Sequence, residues 1–198
     1  MPTPPDAPPS RYHALKERVL NRGVPPDAFL DELVAWGGAA PDDIFVPNAI
    51  HDVYSSVVGV LGPWRDLNHR RAAMLEVMRV LAGFESSWDW NAGQDTNNPT
   101  SVTATTIEAG AWQVSANSMV FGQELKDLVM DAVGSLDGDA FQQAMKTNHP
   151  LAMEYIARLL RRTVDANGPV MRHEIDAWLR PDAVEEFLVL LSTPVAGT

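Results

Sequence analysis

The sequence predicts a mainly α domain with one small β-hairpin or loop excursion. Three observations carry this expectation. Apolar residues recur at helical spacing through most of the chain, between stretches punctuated by Gly and Pro. Residues 86–106 lose that period: they are rich in Gly, Asn, Pro, Ser and Thr, and the run from Ser101 to Ile107 favours short strands. Finally, 198 residues with 45% hydrophobic and 21% charged side chains suit an ordinary folded chain with one sizeable core.

Residues 1–10 form a Pro-rich, extended lead-in. A helix is expected over 11–22, where Tyr12, Leu15, Val19 and Leu20 fall at helical spacing and Gly23 is the stop. Pro26 opens a second helix with Phe29, Leu30, Leu33, Val34 and Trp36 apolar, ended by Gly37-Gly38. A third occupies 48–61 and stops at Gly62-Pro63. The fourth, over 69–84, lines one face with Met74, Val77, Met78, Leu81 and Phe84, and leaves Arg70, Arg71, Glu76 and Arg79 mostly off it. Helix resumes over 118–133, 139–146 and 151–164, the last with Leu151, Tyr155, Leu159 and Leu160 apolar. After Asn167-Gly168-Pro169 a helix is expected over 170–179, and Pro181 starts another through Leu191. The expected organisation is a single domain over 11–192, its N-terminal helical part at 11–65 and its core and C-terminal helices at 66–192, with a loose tail at 193–198.

Composition excludes several kinds of chemistry. There is no cysteine, hence no disulfide, thiolate metal site or cysteine nucleophile. His51, His69, His149 and His173 are scattered without zinc-site spacing, Ser86 and Ser87 lack a nucleophile elbow, and no Gly-rich phosphate loop follows a strand. Neither a metal nor a cofactor is expected. A net charge of −11 argues against nucleic acid as a partner. Membrane insertion is not expected, since no apolar run approaches the roughly 18–20 residues it takes. The opening MPTPPDAPPS lacks the basic residues and apolar run of a secretory signal. The chain is therefore expected to stay in the cytoplasm, to leave by another route, or to have had a signal removed.

The chemistry concentrates between Leu81 and Ser115. Glu85 falls at the end of the fourth helix, where the negative end of the helix dipole disfavours ionisation. Phe84, Trp88 and Trp112 are candidates for an apolar wall that would raise its pKa further. A carboxyl kept protonated near neutral pH is what donation to a glycosidic oxygen requires, as in lysozyme, where an acid beside an apolar wall plays that part. Trp88 and Trp90 suit stacking on sugar faces, while Asn91, Asn97, Asn98 and Gln113 suit hydrogen bonds to hydroxyl or acetamido groups. The structural alternatives are an ion pair of Glu85 with Arg79 or another basic residue, core packing for the tryptophans and for Tyr155, and turn stabilisation by the loop carboxylates.

Glu85-Ser86-Ser87-Trp88 resembles the Glu-Ser-x-aromatic motif that carries the catalytic glutamate of soluble lytic transglycosylases and goose-type lysozymes. About two dozen residues on, Gly110-Ala111-Trp112-Gln113-Val114-Ser115 is similar to their Gly-Leu-Met-Gln-Val/Ile motif. The resemblance implies a lysozyme-like helical domain whose excursion carries the cleft, with Glu85 as acid/base, Gln113 on the cleft wall and Tyr155 on a later helix near it. It further implies a polysaccharide substrate, peptidoglycan or a related amino-sugar polymer, cut at β-1,4 bonds by hydrolysis or lytic transglycosylation, with the cell wall as site of action. Such a chain without a signal would suit a phage endolysin or a delivered antibacterial effector. Trp112 stands where the family has Met, and Asp95-Thr96-Asn97-Asn98 and Glu108 are additions. Those carboxylates resemble the arrangement of inverting enzymes with the same fold, chitosanases among them. The second catalytic carboxylate stays open between Glu108 and Asp95, with Asp89 behind. Chitosan, which the acidic chain would attract, and non-catalytic glycan binding are the alternative functions.

Overall fold

Helix α3, Leu67–Ser86, is enclosed on all sides, with every residue from His69 to Gly83 buried. The computed structural model describes residues 10–162 and 168–193. Around α3 it places α1 (Asp27–Ala39), α2 (Val53–Leu61), α4 (Gln123–Val133), α5 (Gly138–Thr147), α6 (His149–Leu160) and α7 (Pro181–Ser192). The mainly α class is therefore what the chain adopts. α3 rests most extensively on α7 and next on α1, while α4, α5 and α6 pack on one another and α6 also on α1 and α3.

A helix buried all round is ordinarily apolar all round, yet Arg70, Arg71, Glu76 and Arg79 are among its buried residues. This corrects the expectation that these charges lie off the packed face. Each is engaged. Arg70 Nε donates to Phe45 O at 2.6 Å, with its guanidinium over the Tyr54 ring at 3.5 Å. Arg71 Nη1 donates to Gly37 O and Ala40 O, at 2.6 and 2.8 Å, so it caps the end of α1. From the C-terminal cap of α6, Arg161 adds bonds to Asp52, Ile44 O and Val46 O. Three arginines thus fasten the α1–α2 connection to two helices through its carbonyls.

Arg79 and Glu76 form a two-pronged ion pair, 2.7 Å at both contacts and without solvent access. Arg79 Nη1 also donates to Leu15 O and Glu17 O, and Glu76 accepts from the Arg180 N–H at 3.0 Å. One pair therefore ties both the N-terminal segment and the start of α7 to α3.

That segment is where the helix expected over 11–22 fails. Only Ala14–Lys16 forms a single 3-10 turn. Tyr12, Leu15 and Val19 are buried as their spacing suggested, but the backbone groups are claimed from outside. Arg79 takes the carbonyls of Leu15 and Glu17, and the Glu186 carboxylate takes the N–H groups of His13 and Leu15. Tertiary hydrogen bonds replace the helical ladder.

Other differences are local. α2 starts at Val53 because Asp52 accepts from the Tyr54 N–H and Ser55 Oγ accepts from the Asp52 N–H, a capped start that 48–51 do not share. The helix expected over 118–133 is a 3-10 turn, Ala116–Phe121, then α4, separated at Gly122. The helix expected over 170–179 is a chain of turns ending in the 3-10 turn Asp176–Trp178, with His173 at φ 59°. α6 ends at Leu160, and residues 163–164 of the expected helix lie outside the described residues, as do most of the lead-in and the tail.

Replacing Arg79 with Met strands a buried carboxylate, so the single variant is expected to lose about 3–5 kcal/mol in urea unfolding. The double change Glu76→Leu/Arg79→Met is expected to lose less than Arg79→Met alone. A double variant as damaged as the sum of its singles would show that the pair is not coupled.

Candidate functional site

α3 closes with Ser87 and Trp88 both in the left-handed region, φ 60° and 62°. Ser87 N–H donates to Gly83 O and Trp88 N–H to Ala82 O, each at 3.1 Å, which satisfies the last carbonyls of the helix. Trp88 then folds back along α3 and donates Nε1–H to Arg79 O at 2.9 Å. A Cβ on Gly83 would lie 2.4 Å from its ring, so only glycine admits the indole there. Ser86 Oγ donates to Ala111 O at 2.7 Å and thereby joins the Glu-Ser motif to the Gly-Ala-Trp-Gln run.

That run is itself a tight turn. Ala109 and Val114 exchange backbone bonds of 2.9 and 3.2 Å, Gly110 sits at φ 74°, and Gln113 donates both its N–H and its Nε2 to Gly110 O at 3.1 Å. The Ala109–Val114 pairing is an isolated bridge, and no strand forms among the described residues. Of the hairpin or loop expected here, the chain forms an ordered loop. Its short polar side chains close local turns instead: Asp89 Oδ1 accepts from Asn91 N–H, Asp95 Oδ1 from Asn97 N–H, and Asn98 Oδ1 from Thr100 N–H.

Glu85 stands where two hollows meet. An apolar arm of about 330 Å³ is walled by Leu81, Trp112, Val114, Phe121, Ile156 and Val170 among others. A polar arm of about 500 Å³ is walled by Arg22, Gln94, Asp95, Asn97, Asn98 and Glu108. Glu85 and Gln113 line both arms. The Glu85 carboxyl is pushed up to about 7 from its ordinary 4.5, chiefly by burial; Glu174 and Glu108 push the same way, while Arg172 and Arg22 pull it down. Among the described residues no hydrogen bond reaches the Glu85 carboxyl. A pair with Arg79, one of its expected structural alternatives, does not form, because Arg79 is taken by Glu76.

The other predicted residues divide into two groups. Asp95, Asn97, Glu108 and Gln113 come together with Glu85. Glu108 also ties the loop, accepting from Asn98 Nδ2 at 2.8 Å, from Ser101 Oγ, and from the Asp95 N–H at 3.4 Å. Trp112 borders the apolar arm, but it is buried and its Nε1 is committed to Met78 O at 2.9 Å. Trp88 belongs to the core, as does Tyr155, which is 0% exposed and bonds Ser118 Oγ at 2.6 Å. Neither offers the face that a sugar platform needs. Trp90 lines neither arm; it sits behind Trp112 and is stacked on His149 at 3.8 Å, with that imidazole in turn on the Glu32 carboxylate. Asn91 and Asp89 are exposed outside both arms. The sequence reading missed Arg22 and the apolar wall from Phe121, Ile156 and Val170. No local signal marks them, since they reach Glu85 only through folding.

Among the described residues no group of acidic or histidine side chains could hold a metal ion, and no helix is long and apolar enough to cross a membrane. No protein-family model, curated protein or solved structure matches this chain.

Glu85 binds its proton near pH 7 when folded and near 4.5 when unfolded. The folded state therefore holds the extra proton between these values, and its stability falls as pH rises through them, by about 3 kcal/mol at most. Unfolding free energies measured at pH 4 and pH 8 should show Glu85→Gln gaining on the wild type at the higher pH. An equal difference at both pH values would place the proton elsewhere.

Proposed function

We propose that this chain is a lysozyme-like glycosidase that cleaves β-1,4 bonds of an amino-sugar polymer, peptidoglycan foremost, with Glu85 as the general acid. The observation that carries the reading is the position of Glu85: a carboxyl that burial holds protonated up to about pH 7, set where an apolar and a polar arm meet. The link from Ser86 to Ala111 supports the resemblance, because it brings the two motifs that resemble those of lytic transglycosylases and goose-type lysozymes into contact.

In this mechanism a glycosidic oxygen placed against Glu85 takes its proton as the bond to the anomeric carbon breaks. The positive charge on the sugar then needs a carboxylate, a carboxylate-held water or a group of the substrate. Asp95 is better suited than Glu108 to hold a water: its Oδ2 accepts no bond among the described residues, whereas both oxygens of Glu108 already accept. Gln113 orients the sugar from the shared wall. No cofactor is required for this chemistry.

The net charge of −11 favours a cationic polymer as the second substrate class, so peptidoglycan sacculi and chitosan belong in one assay, with products read by mass spectrometry. Wild type is expected to release muropeptides, and Glu85→Gln to lose about 100- to 10,000-fold in rate while staying folded. Release from chitosan alone would keep the acid and change the polymer. Because the acid must be protonated, kcat/KM is expected to fall about tenfold per pH unit above pH 7. Unchanged turnover by Glu85→Gln would remove Glu85 from the mechanism.

A further inference from the structure

Arg22 reaches the polar arm from the far end of the chain, 63 positions before Glu85. It is carried by the turn Val19–Gly23, closed by Val19 N–H to Gly23 O at 3.2 Å and Arg22 N–H to Val19 O at 3.0 Å. The turn requires Leu20 at φ 50° and Gly23 at φ 93°. A branched side chain in the left-handed region is costly, on the order of 1 kcal/mol, and persists only where the surroundings hold it. Here they do: Val19 is buried just before the turn, and Arg79 grips the carbonyl of Glu17. The segment is thus anchored on the core while Arg22 stands on the cleft wall.

The neighbours of Arg22 in that wall are acidic, yet none pairs with it. Among the described residues no carboxylate comes within ion-pair distance of its guanidinium, and no side chain accepts from it. Glu108 accepts from Asn98, Ser101 and the Asp95 N–H, and Asp95 closes its own turn on Asn97. A guanidinium is a planar fork of donors suited to a carboxylate. This one faces the space that a substrate would fill.

We propose that Arg22 is a substrate-binding residue whose guanidinium takes a carboxylate borne by the amino-sugar polymer, beside the bond that Glu85 protonates. This rests on the reading of the cleft as a glycan site and adds to it the class of glycan, one with acidic substituents. Salt screens the acidity of the chain beyond roughly 8–10 Å, so the charges that oppose such a ligand are those of the arm itself, Asp95 and Glu108.

The test is equilibrium binding of peptide-free glycan strands built from N-acetylglucosamine and N-acetylmuramic acid, whose lactyl carboxylates are free. The same strands with those carboxylates converted to amides serve as the comparison. Binding is measured for wild type, Arg22→Ala, Arg22→Lys and Glu85→Gln. Wild type and Glu85→Gln are expected to prefer the free-acid strands by about tenfold or more, the size of a charge-assisted pair. Arg22→Ala is expected to lose that preference while binding the amidated strands as wild type does, and Arg22→Lys to restore part of it. Where turnover is seen, Arg22→Ala should also move the basic limb of the pH–rate profile upward, since Arg22 pulls the Glu85 proton off along with Arg172 while Glu108 and Glu174 hold it on. No preference in wild type, or the same preference in Arg22→Ala, would overturn the proposal. A preference that depends on Arg22 in a protein that cleaves neither strand would uphold it and reject the glycosidase reading alone.

Discussion

Glu76 and Arg79 face each other in the middle of α3 without solvent access, and the segment that carries Arg22 to the polar arm depends on that pair. The guanidinium of Arg79 directs its remaining donor to the carbonyls of Leu15 and Glu17, which fixes the segment leading to Arg22. Its backbone carbonyl accepts the indole N–H of Trp88, which fixes the start of the loop carrying Asp95 and Asn97. A buried ion pair is weak evidence of stability taken alone, since desolvation offsets most of its Coulomb energy. Its value here is positional, because the same two side chains orient the N-terminal segment and the start of α7 relative to α3.

The cleft carries strain that the rest of the molecule offsets. Leu20, Ser87, Trp88 and Gln113 all adopt positive φ without being glycine, and each of them flanks or lines the region around Glu85. The Glu85 carboxyl adds to this, since burial disfavours its ionised form. Such concentrations of strain and unfavourable solvation are the usual accompaniment of a site whose geometry serves something other than stability. The core around α3 supplies the compensating burial, through packing on α7 and α1 and through aromatic contacts such as Phe29 with Trp90 and Trp112.

Helical periodicity located α1, α3, α5, α6 and α7 to within a few residues, because each buries a face whose spacing is written in the chain itself. It failed at 11–22, where the apolar spacing is real but Arg79 and Glu186 claim the backbone groups that a helix would use. It failed again at 170–179, where His173 takes a left-handed conformation. The charges of α3 misled in another way. Arg70, Arg71, Glu76 and Arg79 carry the signature of a solvated face, and nothing local announces that carbonyls distant in sequence will accept from the arginines.

For the site, the sequence by itself determined the acid at the end of an apolar helix, the glycine-bounded turn that follows two dozen residues later, and the polar loop between them. These are local matters of helix termination, positive φ at glycine, and short side chains that close their own turns. Only the tertiary structure decided which side chains face the cleft. It sent Trp88 and Tyr155 to the core and Trp90 to His149, and it bound Glu108 into the loop it borders. It also brought Arg22 into the wall of the same hollow. Those outcomes depend on which distant backbone groups and apolar surfaces compete for each residue, and that competition is settled only when α3 is enclosed.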